Sequence, residues 1–214
     1  MGKLGCILFF LWSFVGVQKF SSTVFEGNII FMKKTLYDTT YFSFLVKQNR
    51  VRTDEKNVRN EIIQSLIIDL TTKNITALSP SQKLYTNIYK NRSSVSIENK
   101  VIKSSIYKYI NGYKCTLWRV RNSIFNTDVS LWVYPENYTF FSEVMDLLGK
   151  TEDYVQYCNY FDVIPENNGY IPILVIERTL LREEKFRVFM RGIHYQKLND
   201  QLFQIPKDYK CLLN

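Results

Sequence analysis

From Phe25 to Ile110 the chain is cut into short runs rich in Val, Ile, Thr, Tyr and Phe, each ended within a few residues by a turn signal. That spacing leaves no room for helical periodicity and reads as a meander of strands, the pattern of an all-β barrel or sandwich. The first strand covers Phe25 to Leu36 (FEGNIIFMKKTL). Tyr41–Lys47 and Arg50–Asp54 follow, joined by Gln48-Asn49, where Asn49 is expected to adopt the left-handed conformation of a tight hairpin. Ile62–Leu70 (IIQSLIIDL) turns at Thr71-Thr72-Lys73-Asn74 into ITAL, and Ser79-Pro80-Ser81-Gln82 turns again into LYTNIY. Phe42, Phe44 and Val46 fall on one strand face, and Tyr41, Ser43 and Leu45 on the other. A plain meander keeps one wet face; apolar residues on both faces predict a sheet covered on both sides.

The second half continues in the same way and then changes period. Arg92–Lys100 is polar and reads as a loop or edge. Val101–Ile110 is a strand, Asn111-Gly112 a hairpin turn, YKCTLWRVR its return, and DVSLWVYP the next strand after a loop at Asn122–Thr127. Phe140, Phe141, Val144, Met145, Leu147 and Leu148 recur at helical spacing, with Thr139 or Asn137 to cap the start and Gly149 to end it. Tyr154, Tyr157, Cys158 and Phe161 repeat the pattern. After Pro165–Gly169 the strands resume as YIPILVIERTL and FRVFMRGIHYQKL. The tail NDQLFQIPKDYKC reads as a short turn of helix anchored by Phe203.

The amino terminus pairs Lys3 with an apolar run from Leu4 to Val17. The run is too short to span a bilayer, which takes roughly 20 apolar residues, and it has the form of a secretory signal peptide. The expected organisation is a signal peptide at 1–17 and one domain at 18–214, soluble and exported to the periplasm or the cell exterior. Cys6 lies too early for lipid attachment at a cleavage site. Cys115, Cys158 and Cys211 remain as disulfide candidates, an odd set whose pairing the spacing leaves open. The formal net charge of +8 allows attraction to an anionic lipid surface, and Arg178, Arg182, Lys185, Arg187 and Arg191 are the densest basic stretch.

The ordered phrases FEGNIIF, TYFSFLVKQNRVRTDE, SLIIDLTTKNITALSPSQKLYTNI, INGYKCTLWRV, VSLWVYP, GYIPILVIE and YQKLNDQLFQIPKDYK resemble an exported bacterial family of domains of unknown function, common in Bacteroidetes. That family is related in fold to the LolA, LolB and LppX lipoprotein and lipid carriers. The resemblance spans about Phe25 to Lys210, and its most specific phrases are GYKC with a Trp three residues on and LNDQLFQIP. It implies a mainly β fold: a curved, incomplete antiparallel barrel, LolA-like, with one or two helices across its open face. In the carriers the concave face is apolar and holds acyl chains. No catalytic residue is carried over.

The residues themselves offer no catalytic set. His194 is the only histidine and lies in a strand pattern. Glu183-Glu184 and Glu152-Asp153 are sequence neighbours, which cannot face each other across a cleft as a glycosidase requires. No phosphate loop or metal-ligand cluster is present, so no cofactor or metal is expected. Export argues against nucleic acid. Asn74, Asn91 and Asn137 begin glycosylation triplets, relevant only in a eukaryotic secretory pathway. The sequence therefore points to a non-enzymatic binder or carrier of a hydrophobic ligand, lipid, acyl chain or lipoprotein, with an interaction or sensor module of the same fold and a filled core as the alternative. Candidate cavity and lid residues are Phe42, Phe44, Val46, Phe140, Phe141, Val144, Met145 and Leu148. The oligomeric state is left open.

Overall fold

A computed structural model describes residues 25–88, 99–122, 126–149, 164 and 167–212. Within them the chain builds one twelve-stranded sheet. β1 (Gly27–Thr35), β2 (Thr39–Lys47), β3 (Arg50–Lys56), β4 (Ile62–Asp69), β5 (Asn74–Ser79) and β6 (Leu84–Ile88) pair in chain order as an antiparallel meander. β7 (Lys100–Ile110), β8 (Tyr113–Asn122), β9 (Thr127–Tyr134), β10 (Ile171–Thr179) and β11 (Glu184–Tyr195) form a second meander. The two are fused where β11 pairs antiparallel with β1, from Gly27 opposite Tyr195 to Thr35 opposite Phe186. β12 (Lys210–Cys211) adds to β6 in parallel. The sheet is an incomplete, curved barrel whose edges, β7 and β12, do not pair.

Chain connectivity demands the curvature. β6 and β7 stand ten strand intervals apart in the sheet order, about 48 Å if the sheet were flat. The chain passes from Ile88 to Lys100, and twelve residue steps reach at most about 43 Å when fully extended. The two strands also run in the same direction, so the link must return the length of a strand as well. Only a sheet rolled toward closure brings the two ends within reach.

The turns fall where the sequence places them, with one exchange of roles. Between β2 and β3 it is Gln48 that takes the left-handed conformation, φ 54°, and not Asn49. Asn49 is committed elsewhere: its carbonyl accepts from the Leu70 N–H, and its side-chain Nδ2 donates to Thr71 Oγ1. That ties the β2–β3 turn to the β4–β5 turn. Asn111 and Gly112 both have positive φ, 50° and 84°, as a type I′ hairpin requires.

Helix α1 (Thr139–Gly149) lies between β9 and β10 in the chain and packs on the inner face of the sheet. The outer face of β2 and β3 is covered by the chain after β11. Leu198 N–H donates to Glu26 Oε1, and Lys47 Nζ donates to the Leu198 carbonyl. Arg52 reaches the Leu202 carbonyl, and Phe203 is buried with Arg50 over its ring. Asn199 caps the 3-10 turn Asp200–Phe203 by accepting from Gln201 N–H. The phrase LNDQLFQIP is thus the code for a strap, which covers the outer face at the Lys47, Arg50 and Arg52 end of β2 and β3, away from Tyr41. The second helical pattern, Tyr154 to Phe161, lies outside the described residues, as do the apolar amino terminus and Arg92–Glu98.

Candidate functional site

The inner face is built by strand alternation. In register across four strands it carries Ile29 and Phe31 from β1, Phe42, Phe44 and Val46 from β2, Val51 from β3, and Leu66 and Ile68 from β4. All are buried in one cluster. On the other meander Val120, Val129, Leu131, Val175, Val188 and Met190 continue it. Helix α1 supplies the facing surface. Its Phe140, Phe141, Val144, Met145, Leu147 and Leu148 are all buried. The Phe141 ring lies 5.9 Å from that of Phe44 and 6.1 Å from that of Phe31, and Phe140 stacks on Phe25 at 5.5 Å.

The structure therefore brings all eight residues named from sequence, Phe42, Phe44, Val46, Phe140, Phe141, Val144, Met145 and Leu148, into one apolar cluster. It adds Phe25, Ile29 and Phe31. The FEGNIIF alternation carried that signal, since Phe25, Ile29 and Phe31 share a parity.

Polar residues edge the same face beyond the rings. Glu177 is fully buried, opposite Val129 on β9 and Phe186 on β11. Lys185 Nζ holds its Oε1 at 2.9 Å, while its Oε2 has no hydrogen-bond partner among the described residues. Thr127, two residues from Val129 and so on the same face, is buried with its Oγ1 likewise unpartnered. Buried polar groups are normally satisfied, so these two atoms stand out on an otherwise apolar part of the inner face. On β3, burial pushes the Glu55 carboxyl above its usual range while Lys33 works against the rise. Nothing in LVIERT distinguished Glu177 from an ordinary strand-end acid; its burial follows from cross-strand register.

At the start of α1, Tyr138 Oη and Tyr195 Oη share a hydrogen bond of 3.2 Å, and burial with that bond pushes the Tyr138 hydroxyl well above the usual tyrosine range. Beside it an open cleft of about 480 Å³ is lined by Asn137, Thr139, Ser142, Glu143, Asn167, Asn168 and Gly169. These residues are small or polar, unlike the apolar lining of most ligand pockets.

Cys115 is buried and free, and Cys211 is exposed and free; Cys158 lies outside the described residues. Burial pushes the Cys115 thiol up to about 11. His194 is exposed on β11, opposite Asn28. Among the described residues no group of three His, Cys, Asp or Glu side chains could hold a metal, and no helix is long and apolar enough to cross a membrane.

No curated protein matches the chain. Among solved structures, an uncharacterized conserved protein from Thermus thermophilus is similar in fold, with a TM-score of 0.52 at 8% identity over 87% of this chain and 90% of that one. A putative outer membrane lipoprotein-sorting protein domain from Vibrio parahaemolyticus aligns at a TM-score of 0.33 and 9% identity, over 83% of this chain and 87% of that one. MucB in its complex with MucA from Pseudomonas aeruginosa aligns at 0.48 and 9% identity, and this chain covers 86% of its own length but 57% of that chain. In sequence, residues 25–209 match the model of a domain of unknown function, DUF4412, which indicates no enzymatic family. That match takes in β1 to β11 and the 3-10 turn of the strap, and the chain belongs to the DUF4412 family.

Proposed function

We propose that this chain is a non-enzymatic envelope protein that binds a hydrophobic ligand, such as an acyl chain or a lipid-modified segment, on the inner face of its open sheet, with α1 as the lid. The observation that carries the reading is the apolar face of α1 lying against an apolar sheet that the barrel leaves unclosed. The helix occupies the position an acyl chain would take, so binding requires α1 to move aside. The apolar amino terminus and the family resemblance support export. Glu177 and Thr127 supply the polar end of the site.

A second reading has its own support. Phe141 and Phe44 are fully buried and in ring contact, as in a core that is simply filled. An interaction module would keep α1 in place and act through its surface. Uptake of an apolar fluorescent probe, measured beside thermal melting for wild type, Phe141→Ala and Met145→Ala, separates the two. A lid predicts altered probe uptake with a modest loss of stability. A large loss in a protein that takes up no probe overturns the carrier reading.

A further inference from the structure

The strand register that builds the inner face also orders the outer one. Leu117, Trp132, Leu174, Phe189, Met32 and Tyr41 stand directly opposite one another on β8, β9, β10, β11, β1 and β2. They form an unbroken apolar row across six strands, about 24 Å long. Their parity opposes that of Val120, Leu131, Val175, Val188 and Phe31, so the row lies on the face away from α1. Each residue is half-buried. Two of the rings lie beneath cations: Lys108 Nζ is 4.0 Å from the centre of the Trp132 ring, and the Arg191 guanidinium 5.7 Å from that of Phe189.

The neighbouring row is basic. Arg119, Ser130, Ile176, Arg187 and Lys34 stand opposite one another on the same five strands, β8 to β11 and β1. One row further out come Arg121, Asp128, Arg178 and Glu184. With Lys108 and Arg191 the face carries seven cations against the carboxylates of Asp128 and Glu184. Those carboxylates hold the arginines in place without cancelling them. Arg119 and Arg121 both bind Asp128, and Arg187 binds Glu184 at 2.6 Å, yet the three arginine side chains keep 41%, 52% and 44% of their surface exposed.

We propose that this outer face docks on an anionic lipid bilayer, the cation rows meeting the headgroups and the Trp132–Phe189–Met32 row entering the interface beside them. Aromatic rings favour the headgroup boundary, and long basic side chains lie over apolar surface with their charges in the polar layer. The charge asymmetry selects the occupant: against two carboxylates the seven cations leave a surplus of five positive charges, which a neutral apolar partner would desolvate unmatched and an anionic surface matches. A cation near such a surface contributes about fivefold to affinity. The docked face is opposite the inner face, so α1 remains free to open while the protein is bound.

Co-sedimentation of the full chain with phosphatidylcholine vesicles and with mixed phosphatidylcholine–phosphatidylglycerol vesicles tests this. Wild type and variants share the same amino terminus, so differences among them report the outer face. Binding is expected to the anionic vesicles, to weaken with salt, and to fall about fivefold in Lys34→Ala and more in Arg187→Ala. Trp132→Ala should lose binding at unchanged charge. Lys34 is exposed and makes a variant that folds even if an arginine variant does not. Equal pelleting with neutral vesicles, or full binding by Lys34→Ala and Arg187→Ala alike, overturns the proposal. So does binding to a soluble polyanion such as heparin with no retention on anionic vesicles.

Discussion

Asp54 shows how a single side chain can fix the position of a distant segment. It is buried on the outer face, where Ser65 Oγ donates to its carboxylate at 2.6 Å and Arg52 Nε at 2.7 Å. The same guanidinium then donates to the Leu202 carbonyl of the strap. Removing one donor leaves a buried charge short of partners, so Ser65→Ala should cost about 1–3 kcal/mol in denaturant unfolding. Arg52→Ala should cost more and also loosen the strap, visible as faster amide exchange at Phe203. A second residue-scale expectation concerns acid. At Asp128 burial works to raise the carboxyl, and the bonds from Arg119 and Arg121 outweigh it and hold the group below the ordinary range; at Glu184 the bond from Arg187 does the same. Both contribute stability that is present above the ordinary carboxylate range and drains as pH falls through their lowered values. Melting temperature should drop steeply there in wild type and less steeply in Asp128→Asn. At Cys115 burial raises the thiol to about 11, so peptide mapping after brief alkylation at neutral pH should find Cys211 modified and Cys115 protected until unfolding.

At the scale of elements, the sequence carried most of the strands and left their partners unstated. Strand period, the Asn111-Gly112 turn and the stripe from Phe140 to Leu148 are local signals, and local chemistry decides them. The pairing of β1 with β11 and the passage of the strap over β2 and β3 are fixed by contacts 150 or more residues apart, which no window of sequence contains. For the same reason Glu177 and Thr127 escaped notice: they come onto one buried face only when β9, β10 and β11 lie side by side. The candidate lid residues were legible because each lies on an amphipathic stripe of its own element. If α1 is ordinary core, Phe141→Ala should cost about 3–5 kcal/mol; if it is a lid over a yielding space, distinctly less. The strap can be tested in the same way. Phe203 is buried at its centre, and Phe203→Ala should destabilise the whole sheet by about 2–4 kcal/mol, with unfolding still a single transition. A separate early transition would show the strap to be an appendage.

At the scale of the whole molecule, one continuous sheet serves two surfaces: an inner face closed by a helix and an outer face banded by aromatic and basic rows. Register makes both at once, because each strand contributes alternate side chains to each. The strap also has a consequence in time. The meander from β1 to β6 leaves the ribosome long before Leu198 to Cys211, which cover its outer face and add the last strand beside β6. Until then that half has an uncovered flank and an open strand edge at β6, and an unpaired edge recruits other chains. β1 must also wait for β11 across most of the sequence, and such long-range pairing is slow to form. A nascent chain of this architecture is therefore exposed for much of its synthesis, and any factor that keeps it from aggregating must act on β1 to β6 before Leu198–Cys211 are made.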